Sequence, residues 1–156
     1  MQDFITKAIP TGVYVITVRK GDTINGMTAA WVTQVSFKPP LLAVAIAPPR
    51  YTYKLIKESG YFCINTIPQD AMDIAKHFGF KSGKKTDKFK GYSYTNALKG
   101  SPVLDKASAY IECELQSTCE TGDHTLFIGS IVDHAMLQEN AEPLIFKWSD
   151  FFGKKG

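Results

Sequence analysis

Residues 25–46 read Asn25-Gly26-Met27-Thr28-Ala29-Ala30-Trp31, then Val32-Thr33-Gln34-Val35-Ser36-Phe37-Lys38, then Pro39-Pro40-Leu41-Leu42-Ala43-Val44-Ala45-Ile46. The first two blocks predict extended chain from Asn25 to Phe37 with an irregularity in its middle. Pro39-Pro40 cannot donate ladder hydrogen bonds, which puts it at a strand start or edge. The run from Leu41 to Ala47 is apolar throughout, as in a strand covered on both faces. The small residues Thr28-Ala29-Ala30 admit two readings. They let backbone N–H groups come close to the polar edge of a flat ligand, or they ease a tight bend in a plain barrel strand.

Working outward, Ile9-Pro10-Thr11-Gly12 predicts a turn into a strand over 13–18, and Gly21-Asp22 predicts a hairpin. Thr52 is placed to N-cap a short helix over 53–59, and Gly60 to close it. A strand follows over 61–67. Residues 69–78 have helical character, with Met72, Ile74, Ala75 and Phe78 on one side. Residues 79–91 read as a polar loop. From 107 to 120 the chain alternates. Ala109, Ile111, Cys113 and Leu115 face one way, and Tyr110, Glu112, Glu114 and Gln116 face the other. Thr121-Gly122-Asp123 turns the chain into a return strand over 126–132. Many strands, two short helices, no regular βαβ alternation and no GxGxxG predict a mainly β fold, a small barrel with short flanking helices.

The chain has 156 residues, 44% of them hydrophobic, which predicts one domain over 1–156 with a real core. A net charge of +3 and the lack of a basic-aromatic stripe argue against nucleic acid. Lys81, Lys84, Lys85, Lys88 and Lys90 form either a solvated loop or a landing site for a phosphate. Cys63, Cys113 and Cys119 make an odd number with no CxxC pair, so neither a disulfide framework nor a zinc site is expected. A reducing cytoplasm fits this usage. No signal peptide or membrane span is expected.

Ordinary catalysis finds little support. Glu112 and Glu114 share a strand face but read as solvated carboxylates. His77, His124 and His134 are scattered without metal spacing, and no GxSxG elbow accompanies the serines. Arg50 and Thr52 stand just before a predicted helix start, where a phosphate finds donors. They equally suit a surface Arg and a plain N-cap.

In order along the chain come Pro10-Thr11-Gly12, Gly26-Met27-Thr28-Ala29, Val35-Ser36-Phe37, Pro39-Pro40, the basic-then-Thr helix start at Arg50, and Gly60-Tyr61-Phe62-Cys63-Ile64-Asn65. Asp87-Lys88-Phe89 and Gly122-Asp123-His124 with Leu126-Phe127-Ile128-Gly129 follow. Together, over about residues 8 to 148, they resemble the flavin reductase family, whose fold is the FMN-binding split β-barrel, a Greek-key barrel. The resemblance implies an FMN site, with FAD as the other flavin to consider. The ring lies against Met27, Thr28, Ala29, Ala30 and Trp31. Ser36, Arg50 and Thr52 meet the phosphate and ribityl chain, with Lys88 reaching the phosphate. His124 stands beside the reacting face as the catalytic candidate. NADH or NADPH is the implied co-substrate, and a homodimer the implied assembly. An electron carrier that keeps FMN and exchanges electrons with an iron–sulfur protein is the other implied activity. Many family members have Thr-Ala/Ser-Asn-Ser where this chain has Thr28-Ala29-Ala30-Trp31, so the usual Asn amide is replaced and an indole follows. Trp31 either stacks near the ring or packs in the core or a dimer. Trp148, Phe151 and Phe152 either form the dimer surface or pack on their own barrel.

Overall fold

The computed structural model describes residues 1–153; the last three positions of the domain expected over 1–156 lie outside them. Helix α1 (Gln2–Ala8) leads into strands β1 (Tyr14–Lys20), β2 (Thr23–Ala29), β3 (Val32–Ser36) and β4 (Leu41–Ile46). Helix α2 (Tyr51–Ser59), strand β5 (Tyr61–Thr66) and helix α3 (Met72–Phe80) follow, the last preceded by a 3-10 turn at Gln69–Ala71. The chain then forms a short hairpin, β6 (Tyr94–Asn96) with β7 (Pro102–Leu104). A long one follows, β8 (Ala109–Glu120) with β9 (Thr125–Met136), and α4 (Trp148–Phe152) closes the order.

Seven strands make one sheet in the order β2-β1-β5-β8-β9-β4-β3, and every pairing is antiparallel. The sheet rolls up, because inward side chains from both ends meet in one cluster. Ile16 and Val18 of β1 and Met27 of β2 pack with Leu42, Val44 and Ile46 of β4. Leu55 and Ile56 of α2 join them, together with Phe62, Cys113 and Phe127. The mainly β barrel with short helices expected from the sequence is therefore the observed fold.

A second cluster lies outside the barrel wall. Val13 and Val15 face α3 there, through Ile74, Ala75 and Phe78, and Leu144 of the tail completes it. The tail thus packs on its own barrel, and Phe151 joins this cluster. The β6–β7 hairpin covers a third face, with Val103 against Cys63 and Tyr110.

The irregularity expected within 25–37 is a break at Ala30-Trp31, where Val32 N donates to Ala30 O at 3.2 Å and Ala45 N donates to Trp31 O at 3.0 Å. Pro39-Pro40 lies in the turn before β4. Gly60 closes α2 in the left-handed region, at φ 80°.

Three readings need correction. Thr52 is not an N-cap: α2 begins two residues earlier than expected, at Tyr51, Arg50 holds the cap position, and no side chain caps the helix. Thr52 is instead fully buried, its hydroxyl accepting a bond from Asn25 Nδ2 at 2.9 Å. Glu112 is not solvated. It is 0% exposed, because the β6–β7 hairpin lies over the outer face of β8. Nor is the 79–91 segment wholly a solvated loop, since Lys88 and Phe89 are each 4% exposed.

Gly129 faces the barrel interior. An added Cβ would sit 2.6 Å from Cys113 Cβ and 2.8 Å from Phe62 Cζ. Both neighbours are fully buried, so neither can retreat. Gly129→Ala is expected to lose about 1–3 kcal/mol of stability by overpacking, read as a lower urea midpoint at unchanged slope.

Candidate functional site

A cleft of two lobes runs along the end of β2. The larger lobe has a volume of about 630 Å³ and the smaller about 270 Å³. Met27, Arg50, Gly79 and Phe80 line both, so the two are continuous.

The larger lobe has two unlike walls. Met27, Thr28, Ala29, Ala30 and Trp31 form one, at the point where the chain leaves β2. Phe80, Phe146, Trp148, Phe151 and Phe152 form the other, supplied by the end of α3 and the C-terminal tail. Those aromatics hold one another: Trp148 and Phe152 have ring centroids 4.3 Å apart, and Phe146 and Phe151 5.2 Å apart. Gln2 and Thr6 of α1 reach the same lobe. The Thr28 hydroxyl is not free, because it donates to Ala75 O at 2.6 Å and ties β2 to α3.

His124 also lines the larger lobe, in the turn between β8 and β9. Its Nδ1 pairs with Asp123 Oδ1 at 2.7 Å. A carboxylate can only accept, so the Nδ1 proton lies in that bond and Nε2 is left to meet a ligand. The same bond holds the Asp123 carboxyl below its ordinary value. The Trp31 ring leans on the imidazole, centroids 4.5 Å apart.

The smaller lobe is polar and basic. Asn25, Arg50, Thr52, Lys81 and Lys88 line it, at the N-terminal end of α2, where backbone N–H groups point outward. The Lys88 ammonium donates to Gly26 O at 2.8 Å and to Phe78 O at 3.0 Å. An ammonium has three donors, so one is left for the lobe. Burial, with the Arg50 charge nearby, brings the Lys88 pKa down to about 8. Among the described residues the Arg50 side chain makes no hydrogen bond or ion pair to protein, although burial lowers its pKa as well. A half-buried guanidinium with idle donors fits an anion.

The structure thus brings together nine of the ten residues singled out in the sequence. Ser36 is the exception: it pairs with Leu41 at the far end of β3 and lines neither lobe. Sequence reasoning missed Asn25, Gly83 and the aromatic tail as cleft residues. Asn25 opens the decisive stretch and so carried a signal; the tail carried none, because nothing local says where it packs.

Among the described residues no helix is long and apolar enough to cross a membrane, and no group of three His, Cys, Asp or Glu residues is arranged to hold a metal.

The family described as "Flavin reductase like domain" matches residues 6–154. A flavin reductase of Pseudomonas putida is 32% identical over 139 residues, covering 88% of this chain and 80% of that protein. A high molecular weight rubredoxin of Moorella thermoacetica is 37% identical over 148 residues; the match covers 92% of this chain but 64% of that longer protein. The crystal structure of an FMN-binding protein from Thermus thermophilus with bound p-hydroxybenzaldehyde superposes with a TM-score of 0.85 at 29% identity. That likeness covers 91% of this chain and 84% of the other.

Proposed function

The chain belongs to the flavin reductase-like family, and from that premise we propose that it is a flavin oxidoreductase holding FMN across the two lobes and reduced by NADH or NADPH. The division of the cleft carries this reading. A mostly apolar lobe adjoins a basic lobe with buried donors, the two environments that a flavin ring and its phosphate require. A bound flavin supplies hydride and single-electron transfer, so the chain needs no strong acid or base of its own.

In this reading Met27 to Trp31 form the seat of the ring. Arg50, Thr52 and Lys88 hold the phosphate. Ser36 lies outside the cleft and has no part in it. The aromatic wall from Phe146 to Phe152 keeps water from the reacting side. His124, tied through Nδ1, offers Nε2 beside the ring and fixes orientation rather than driving chemistry.

The test is a visible spectrum of the purified protein, followed by NADH or NADPH without oxygen. Yellow protein that bleaches quickly supports the reading. Colourless protein that takes up no added FMN removes it.

A second reading is favoured by the rubredoxin relative, which extends well beyond the matched region. In it this domain keeps FMN and exchanges electrons with a small iron–sulfur protein. Yellow protein that stays oxidised with both nicotinamides but bleaches with reduced rubredoxin selects this reading. The homodimer implied by the family belongs to both. Among the described residues strand β3 is an edge of the sheet, with Val35 exposed on it and Phe37 exposed in the turn after it, a surface that a second copy would cover. Light scattering that gives the mass of one chain would remove it.

Lys88 makes the phosphate contact pH-dependent. Its amine loses its proton near pH 8 in the free protein, against about 10.4 for an ordinary Lys. A phosphate beside it favours the charged form, so binding takes up a proton above that pH. FMN affinity is therefore expected to fall between pH 7 and 9, and riboflavin affinity to stay level. Parallel fluorescence titrations check this; equal falls for the two ligands would detach Lys88 from the phosphate. Without ligand, stability runs the other way. The folded pKa is depressed, so stability rises from about pH 8 toward 10.4, where the unfolded chain still holds its proton.

A further inference from the structure

Ser82 and Gly83 line the smaller lobe together with Asn25 of β2. Gly83 lies so close to the Asn25 amide that a Cβ built on it would stand 2.1 Å from Asn25 Oδ1 and 2.7 Å from Asn25 Cγ. Neither side of this contact is loose. Asn25 is 2% exposed, and its Nδ2 donates to Thr52 Oγ1 at 2.9 Å. On the loop side, Lys85 N and Thr86 N both donate to Ser82 O at 3.1 Å, which folds the segment into a closed turn.

We propose that Gly83 and Asn25 form a stop that limits this lobe to a terminal phosphate monoester, so that the site selects FMN over FAD. The inference rests on the flavin reading above and names the specificity of that same cleft. The donors lie deep: Thr52 is 0% and Lys88 4% exposed. A phosphate that ends a chain can enter the lobe toward them with nothing behind it to place. FMN ends in such a phosphate. In FAD the same phosphate bridges to a second one with adenosine behind it, and in this proposal that bulk meets the Gly83–Asn25 contact.

Charge points the same way. A monoester phosphate carries close to two negative charges near pH 7, whereas each phosphate of a bridging pyrophosphate carries one. The lobe offers Arg50, Lys81 and Lys88 and no acidic lining residue. Glycine at 83 is what allows the approach. Any larger residue must lift the loop or push the Asn25 amide away from Thr52.

The experiment titrates the apoprotein with FMN, FAD and riboflavin by flavin fluorescence, in the parent chain and in Gly83→Ala. The parent is expected to bind FMN at least ten-fold more tightly than FAD. In Gly83→Ala that ratio is expected to shrink, as FMN loses affinity and FAD gains it or holds level. FAD binding as tight as FMN in the parent overturns the inference, whatever the variant does. An unchanged ratio in a folded Gly83→Ala also overturns it. Failure of all three flavins to bind removes the flavin reading, and this inference with it; FMN and FAD binding alike leaves that reading standing and removes only the stop.

Discussion

Glu112→Ala is expected to unfold on the order of 10 °C below the parent chain, the consequence of losing about 3–5 kcal/mol. Glu112 is wholly buried on β8, where it pairs with Cys63 of β5. Its two carboxylate oxygens accept from Lys99 N at 2.6 Å and from Ser101 N at 3.0 Å. No salt bridge satisfies it among the described residues. The carboxylate therefore serves the backbone: it holds the turn between β6 and β7 against the barrel. Alanine leaves the buried Ser101 N–H and the part-buried Lys99 N–H without this acceptor, at about 1–3 kcal/mol for a buried group, and opens a void where the side chain stood. Glu114 supplies the control. It lies two residues along the same strand and is exposed, so Glu114→Ala is expected to change stability by less than about 0.5 kcal/mol. Equal melting temperatures for the two variants would refute the role given to Glu112.

Arg50→Ala is expected to raise the dissociation constant for FMN roughly ten- to 150-fold, the equivalent of about 1.5–3 kcal/mol for hydrogen bonds to a charged group. The side chain is half-buried and has no protein partner among the described residues, so removing it breaks no bond seen there. The fold should survive and the loss should fall on the ligand. Riboflavin, which has no phosphate, is expected to bind the variant as it binds the parent. Arg50→Lys should recover only part of the FMN affinity, since an ammonium cannot make two parallel bonds to a phosphate. Isothermal titration with both ligands decides the matter, and an unchanged FMN constant in Arg50→Ala takes Arg50 out of the site.

Particular elements explain why some of this protein was legible in its sequence. The inward face of β8 was readable because a strand buries one face at period two, and Ile111, Cys113 and Leu115 follow that period into the core. The apolar run of β4 was readable because a strand covered on both faces has no polar positions. The outward face of β8 misled. Glutamate prefers water, and only the covering hairpin reverses that preference at Glu112. That hairpin has strands of three residues each, too short for any period to register. Thr52 misled in a similar way: a Thr before a helix reads as a cap, but Asn25 on β2 claims its hydroxyl from 27 residues away.

The sequence by itself determined what depends on neighbours along the chain: the strands and their inward faces, the Gly60 stop of α2, an irregularity within 25–37, and the residue types that a flavin site uses. Order along the chain carried the family as well. Only the tertiary structure decided what depends on contacts between distant segments. The tail folds back to wall the larger lobe, Lys88 is drawn out of solvent to meet Gly26 and Phe78, and Gly83 comes to rest on Asn25. Local propensity acts through a few bonds of backbone, whereas burial is set by whatever the rest of the chain lays on top.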